Sequence, residues 1–385
     1  MRPRTRTATA SGFSQELRAW PEERIQGLIR HATANEITRA LTRECCTFED
    51  LAALLSPAAA SRMEDMARLA HRLTRRHFGR TIGLYAPIYL SNVCAADCAY
   101  CSYALGSREE GARRTLKPDE IREECRTLAG HGFQSVLLLT GDAPQIATVG
   151  YVADAVAIAR EYFVSVAVEV YALEEDDYRK LVARGLEGVT LYMETYHRET
   201  YSLLHLRGRK KDFDYRLGAI QRAGLAGVRR LSIGALLGLY DWRVDGFWTA
   251  LHAKYLQREC WQSAVSISLP RLRHVPPRFV IQNTITDKDL VQLLLALRIF
   301  LPEAGINLST REPAGLRDQL IPLGVTMMSA GSSTRPGGYA QGDEETLEQF
   351  EIEDRRSPEE VAKAIHRAGY DPVWKDFDRA FHDAP

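Results

Sequence analysis

The stretch Ile82–Cys101, reading IGLYAPIYLSNVCAADCAYC, decides the fold. Its first half, Ile82–Leu90, is a nearly unbroken apolar run, as a strand buried on both faces should be. Its second half carries Cys94, Cys98 and Cys101 in the spacing C-x3-C-x2-C. At this chain's cysteine frequency, a preset three-position pattern arises by chance roughly 0.002 times. A buried strand therefore delivers three thiols at its carboxyl end. In a parallel barrel that end is the active-site mouth.

The same alternation continues outward from this strand. Apolar runs recur at Ser135–Thr140, Phe163–Val170, Gly188–Met193, Arg230–Leu236, Ala264–Leu269, Ile306–Thr310 and Val325–Ser329. Helical patterns fall between them, at Lys117–His131, Gly150–Tyr162, Glu174–Arg184, Phe213–Ala223, Val244–Cys260, Asp287–Phe300 and Ala314–Leu320. Eight strands alternating with helices predict an α/β fold, a parallel (β/α)8 TIM-type barrel. An open sheet of six or seven strands is the rival. Upstream, residues 13–78 read as helical, in stretches around Glu16–Thr33, Ala34–Leu41 and Ser61–Phe78, with Ser56-Pro57 as a helix start. After Gly337-Gly338 comes a charged stretch, Gly342–Arg356, and then a helix whose Ser357 and Glu360 sit at capping-box spacing. The tail Asp371–Phe381 reads as a packed extension or a partner-facing segment. The expected organisation is an N-terminal arm and helices at 1–78, the barrel at 79–340 and a C-terminal helical extension at 341–385.

Composition narrows the function classes. The 385 residues carry 50 basic and 50 acidic side chains. A net charge of zero offers no overall field to hold a polyanion, so nucleic acid is not an expected partner. No apolar run reaches the roughly 18 residues of a membrane span. The opening MRPRTRTATASG lacks the apolar core of a secretory signal and reads as a frayed arm rather than a transit peptide. Seven cysteines, an odd number, argue against a secreted disulfide framework. The expected location is the cytoplasm.

Three thiolates on one loop can ligate an iron–sulfur cluster while leaving one iron without a protein ligand. A structural zinc site normally closes with four ligands, and no His or further Cys lies close in sequence to complete one. Cys125 falls within a predicted helix whose apolar face would bury it. An incomplete cluster is the favoured reading, with structural zinc and three buried free thiols as the alternatives.

With an aromatic residue, Tyr100, before the last cysteine, the motif resembles the radical S-adenosylmethionine superfamily. Further blocks resemble its aromatic amino acid lyases: Tyr89–Cys94, Glu194-Thr195-Tyr196-His197, Ser309-Thr310-Arg311-Glu312, Met328–Ser332, Pro336–Tyr339 and Pro372–Asp376. The last two are most similar to the tyrosine lyases of thiazole biosynthesis, the 2-iminoacetate synthases. The related maturase of iron-only hydrogenase carries a cysteine-bearing C-terminal extension for a second cluster. Here no cysteine follows Cys260.

The resemblance implies a 4Fe–4S cluster on Cys94, Cys98 and Cys101, its open iron chelating S-adenosylmethionine. It implies cleavage of the Cα–Cβ bond of L-tyrosine to 2-iminoacetate and p-cresol, with the cofactor split to 5′-deoxyadenosine and methionine. Around the cofactor it places Gly141, Asp142, Glu169, Glu194, Tyr196 and Tyr100, and it brings Gly234 close to the adenine. Arg311 would bind the substrate carboxylate through its planar fork, with Ser329 and Tyr89 as further substrate contacts. Glu312 could instead hold Arg311 as a structural pair, but neighbours on a strand face opposite ways. Arg271 and Arg273 add positive charge to the mouth. Asp142, Tyr171 and Ser102 stand where the family more often has Glu, Gln and Gly. The implied partners are a thiazole synthase and a flavodoxin or ferredoxin as electron donor. Two other readings stand beside this one: a lyase for tryptophan or another aromatic amino acid, and a non-catalytic iron–sulfur or metal-binding protein.

Overall fold

A computed structural model of the chain describes residues 12–107, 110–273, 275–340, 342 and 345–374. The expected frayed arm, residues 375–381 of the tail, and Lys375 and Asp376 of the last matching block lie outside the described residues.

The barrel is built from β1 (Thr81–Ser91), β2 (Ser135–Thr140), β3 (Ser165–Glu169), β4 (Gly188–Thr190), β5 (Arg230–Ile233), β6 (Ala264–Ser268), β7 (Gly305–Leu308) and β8 (Met327–Ser329). Each strand pairs in parallel with the next, and β8 and β2 both pair with β1. That double pairing of β1 closes the sheet and rules out the open-sheet rival. The helices between strands bury apolar faces against the barrel; Asp287–Phe300, for example, has ten buried residues.

Bulky branched side chains usually fill such a barrel in layers. Here Gly83, Ala167, Gly188, Ser232, Ser266 and Gly305 face the interior, and a cavity of about 260 Å3 opens in its amino-terminal half. Tyr85 and Tyr192 stand between it and the mouth, lining the cavities on both sides.

Outside the barrel the structure departs from the sequence reading at identifiable residues. The stretch around Glu16–Thr33 divides into helices Gly12–Ala19 and Glu22–Arg30, because Pro21 is extended and cannot continue the first. Phe213–Ala223 divides at Gly218. The helix at Phe48–Leu55 falls within the segment 13–78 that reads as helical but outside the periodic stretches singled out there. Six of its eight residues are buried, so it lacks the polar face that periodicity detects. The capping box at Ser357 and Glu360 forms as expected.

The extension is not purely helical. Asp371–Val373 forms β9, a parallel partner of Thr81–Gly83 at the amino end of β1. Three residues including a proline carry no strand signal, and Pro372 is tolerated because β9 is an edge strand.

The charged stretch packs against the barrel. It lies as a strap across the barrel mouth. Leu347 accepts a hydrogen bond from the Asn92 amide side chain at 3.2 Å, and the Gln349 amide donates to the Thr334 carbonyl at 3.1 Å. Thr334 Oγ1 donates to the Phe350 carbonyl at 2.9 Å. Asp354 forms a fully buried ion pair with Arg317, on the helix between β7 and β8.

Candidate active site

The cysteine loop follows β1 and folds back on the barrel mouth. The Ala95 amide donates to the Asp142 carbonyl at 2.8 Å, and the Gly141 amide donates to the Ser91 carbonyl at 2.9 Å. A Cβ on Gly141 would sit 2.2 Å from the Val93 carbonyl oxygen and 3.1 Å from Cys94 Cβ. Glycine is required there because the loop backbone occupies that space. On the other side the segment after helix Arg198–Leu204 covers the loop, with the Ala99 amide bonded to the Leu204 carbonyl at 3.0 Å.

Two adjoining chambers open beneath this loop. The first, about 90 Å3, is lined by Cys94, Cys98, Cys101, Gly141, Asp142, Glu169, Tyr171, Glu194, Lys210 and Arg216. The second, about 140 Å3, is lined by Tyr85, Tyr89, Tyr100, Cys101, Glu169, Tyr192, Glu194, Ser309, Arg311, Ser329 and Phe350. Tyr89, Cys101, Leu139, Glu169, Glu194, Lys210 and Gln349 border both. The structure therefore brings together eleven of the twelve residues named above as site candidates.

Tyr196 is the exception. Its hydroxyl meets His252 Nδ1 at 2.9 Å, and its ring packs edge-on to Phe13 behind the strand. It lines neither chamber. The left-handed backbone at Glu194 is the physical reason: residues two apart on an extended strand would share a face, and the turn at Glu194 breaks that pattern and sends Tyr196 into the helical layer. Gly234 also serves another purpose, since a Cβ there would meet the Ser268 carbonyl oxygen at 2.5 Å. Glu312 pairs with Arg271 and Arg273 and leaves Arg311 alone.

Charge is distributed unevenly between the chambers. Glu194 takes the left-handed conformation, φ 68°, rare for a residue with a side chain. Its carboxylate meets Lys210 Nζ at 2.6 Å and Arg216 Nη2 at 3.4 Å. Burial pushes its pKa up, but those two cations outweigh it and hold it below the usual value. Glu169 has no such partner among the described residues. Burial first, and the Glu194 charge second, raise it to about 7. Burial likewise pushes the Asp142 carboxyl up. Neither Lys210 nor Arg216 carries a motif signal, so sequence reading missed both; each lies in a charged loop or short helix whose placement is tertiary.

Cys98 is buried, and Cys94 and Cys101 are half-buried. Burial raises Cys94 to about 11 and Cys98 to about 12, and it raises Cys101 in the same direction. Metal capture must then displace their protons. Among the described residues no three His, Cys, Asp or Glu side chains converge closely enough to hold a single metal ion. A cubane engages each thiolate at a different iron, so ligands spread around one chamber suit it.

Arg311, beyond the end of β7, is half-buried and lines the second chamber. Its guanidinium carbon lies 3.6 Å from the centre of the Phe350 ring. Its Nε is buried without a hydrogen-bond partner, and no carboxylate among the described residues is within ion-pair distance. Tyr89 donates its hydroxyl hydrogen to Gln349 Oε1 at 2.6 Å. Ser329 Oγ accepts from the Thr310 amide at 3.0 Å. The Tyr100 hydroxyl meets His205 Nε2 at 2.8 Å.

Comparison with known proteins decides the family. The profile of the radical SAM superfamily matches residues 88–252, and the biotin and thiamin synthesis associated domain matches 268–371. Over 367 residues the chain is 42% identical to the 2-iminoacetate synthase of Escherichia coli (strain K12), covering 95% of this chain and 97% of that protein. The chain belongs to the 2-iminoacetate synthase family of radical SAM enzymes. The enzyme of the same name from Salmonella typhimurium is equally similar, 42% over 93% of this chain and 94% of that one. Among solved structures HydG, a maturase of the [FeFe]-hydrogenase, superposes with a TM-score of 0.85 at 31% identity; the match covers 92% of this chain but 80% of that one. Methylornithine synthase, at 22% identity and TM-score 0.69, shares the fold.

The family's cofactors are a 4Fe–4S cluster and S-adenosylmethionine, and the residues present fit both. Three thiols border the first chamber, with no fourth cysteine and no histidine among the described residues that line it. Thr140 Oγ1, a buried oxygen without a hydrogen-bond partner, borders it as well. Glu169, Asp142, Arg216 and Lys210 supply both charge signs for a zwitterionic cofactor with a ribose diol.

Proposed function

We propose that this chain cleaves the Cα–Cβ bond of L-tyrosine to 2-iminoacetate and p-cresol, as a radical SAM lyase supplying the thiazole of thiamine. When bound, the cluster and S-adenosylmethionine supply the radical that withdraws a hydrogen atom from the substrate. The chain's own residues bind, orient and enclose. Cys94, Cys98 and Cys101 would hold the cluster, and Gly141-Asp142 and Glu169 would receive the cofactor's ammonium and ribose.

The observation that carries the substrate assignment is Arg311, a half-buried guanidinium beside the cofactor chamber with a buried, unpartnered Nε and, among the described residues, no carboxylate within ion-pair distance. A buried unpaired charge is costly, and a carboxylate meeting its fork relieves that cost. Docked there, the amino acid presents its amino group toward the boundary that Tyr89, Glu169 and Gln349 share with the first chamber. The strap then excludes water from the reacting atoms. Aromatic walls from Tyr85, Tyr89 and Tyr192 suit a phenolic side chain.

Among the described residues no helix is long and apolar enough to cross a membrane. The proposed setting is the cytoplasm, with a flavodoxin or ferredoxin delivering the electron and a thiazole synthase receiving the imine. Anaerobic reconstitution with iron, sulfide, dithionite, S-adenosylmethionine and L-tyrosine should yield p-cresol and 5′-deoxyadenosine in step. A preparation that turns over tryptophan and leaves tyrosine intact would reject the substrate assignment.

A further inference from the structure

The strap across the barrel mouth reaches into the substrate chamber at Phe350, a residue outside every motif block of the sequence. Its ring centre is 3.6 Å from the guanidinium carbon of Arg311, a stacking distance. Two separate hydrogen bonds fix the strap at this point, from the Gln349 amide to the Thr334 carbonyl and from Thr334 Oγ1 to the Phe350 carbonyl. Downstream, the buried Arg317–Asp354 ion pair anchors the strap to the barrel. Arg311 itself has few other restraints. Glu312 turns away to Arg271, no carboxylate pairs with Arg311 among the described residues, and its Nε is orphaned.

We propose that Phe350 is a positioning residue: its ring face supports one side of the Arg311 guanidinium and thereby aims the fork at the carboxylate of the amino acid substrate. The inference rests on Arg311 being the carboxylate ligand. A flat ring is suited to this task. It attracts the cation without occupying the in-plane donors that a carboxylate needs, whereas an acidic partner would consume them. Gln349, the preceding residue, accepts from the Tyr89 hydroxyl across the same chamber. The strap is therefore part of the substrate site.

The test compares F350L, which keeps apolar bulk and loses the π face, with F350Y, which keeps both. Iron content and the cluster absorbance verify that each variant is loaded, and F350M replaces F350L if the latter does not load. F350L should raise KM for L-tyrosine threefold to thirtyfold, the range of a desolvated cation–π contact, with a smaller change in kcat. F350Y should return KM to within about twofold of the parent. Inhibition by tyramine, which lacks the carboxylate, should move less than twofold in F350L. An unchanged KM in F350L, an F350Y as impaired as F350L, or an equal loss of tyramine and tyrosine affinity would each overturn the proposal, the last by showing that Phe350 only shapes the chamber. R311Q, measured alongside, separates the two claims. If R311Q keeps the parent KM, the carboxylate assignment itself falls. If R311Q raises KM while F350L does not, only the role of Phe350 falls.

Discussion

At the residue scale the site depends on groups that are wholly or partly buried and left incompletely partnered by the protein. Arg311 is one, and the three thiols, whose pKa values burial raises, are another. Replacing any one of Cys94, Cys98 or Cys101 by Ala should reduce cluster iron and abolish formation of 5′-deoxyadenosine; a variant that retains both after anaerobic reconstitution would reject the ligand assignment. Arg311→Gln should weaken tyrosine binding by about tenfold to a hundredfold, the value of hydrogen bonds to a charged group, while uncoupled cleavage of S-adenosylmethionine stays measurable. The cysteines and Arg311 were legible in the sequence because each sits in a short motif at a strand end. Lys210, Arg216 and Phe350 were not. Each reaches the site from a segment whose position depends on contacts far away in sequence.

Turns are what aim these groups at the element scale. After β2, Gly141 gives way to the Val93 carbonyl. Gly141→Ala has no room without moving the cysteine loop, so cluster loading should fall, as read by iron content and visible absorbance. After β4, the turn carrying Glu194 is braced from behind by Asp245, which accepts the Tyr196 amide at 2.8 Å and the Thr195 hydroxyl at 3.1 Å. Burial raises Asp245 to about 7, outweighing the two donated bonds, and Asp241 and Glu22 add a smaller repulsion in the same direction. A carboxyl raised in the folded state binds its proton more tightly there than in the unfolded chain. Its contribution is present at acid pH and is lost as pH climbs from about 4 to about 7, after which the loss is complete. Asp245→Asn removes that dependence. The variant's melting temperature relative to the parent should therefore rise across this window and level off above it. A constant difference from pH 4 to pH 8 would contradict the assignment.

For the whole molecule, closure is the decisive property. The barrel closes through β1, β9 extends the sheet at its base, and the strap roofs the mouth. Arg317 and Asp354 tie roof to wall with both side chains fully buried. Asp354→Ala leaves Arg317 buried without its anion and should destabilise the fold by about 3–5 kcal/mol, measurable by denaturant unfolding. KM for tyrosine should rise as well, because Phe350 and Gln349 ride on the same strap. A variant of parental stability would show that the pair contributes nothing net.

Local patterns in the sequence located each barrel strand, to within two residues at its start and three at its end, along with the cysteine loop after β1 and the guanidinium beyond β7. Each of these is written in short-range order: an apolar run, a spacing of thiols, a polar residue at a strand's carboxyl end. Only the tertiary structure decided the rest. Whether the sheet closes, which way Tyr196 turns, where Lys210 and Arg216 arrive and what lies beneath Arg311 all depend on contacts between distant segments. Such contacts follow from packing and charge pairing in three dimensions, and no periodicity along the chain encodes them.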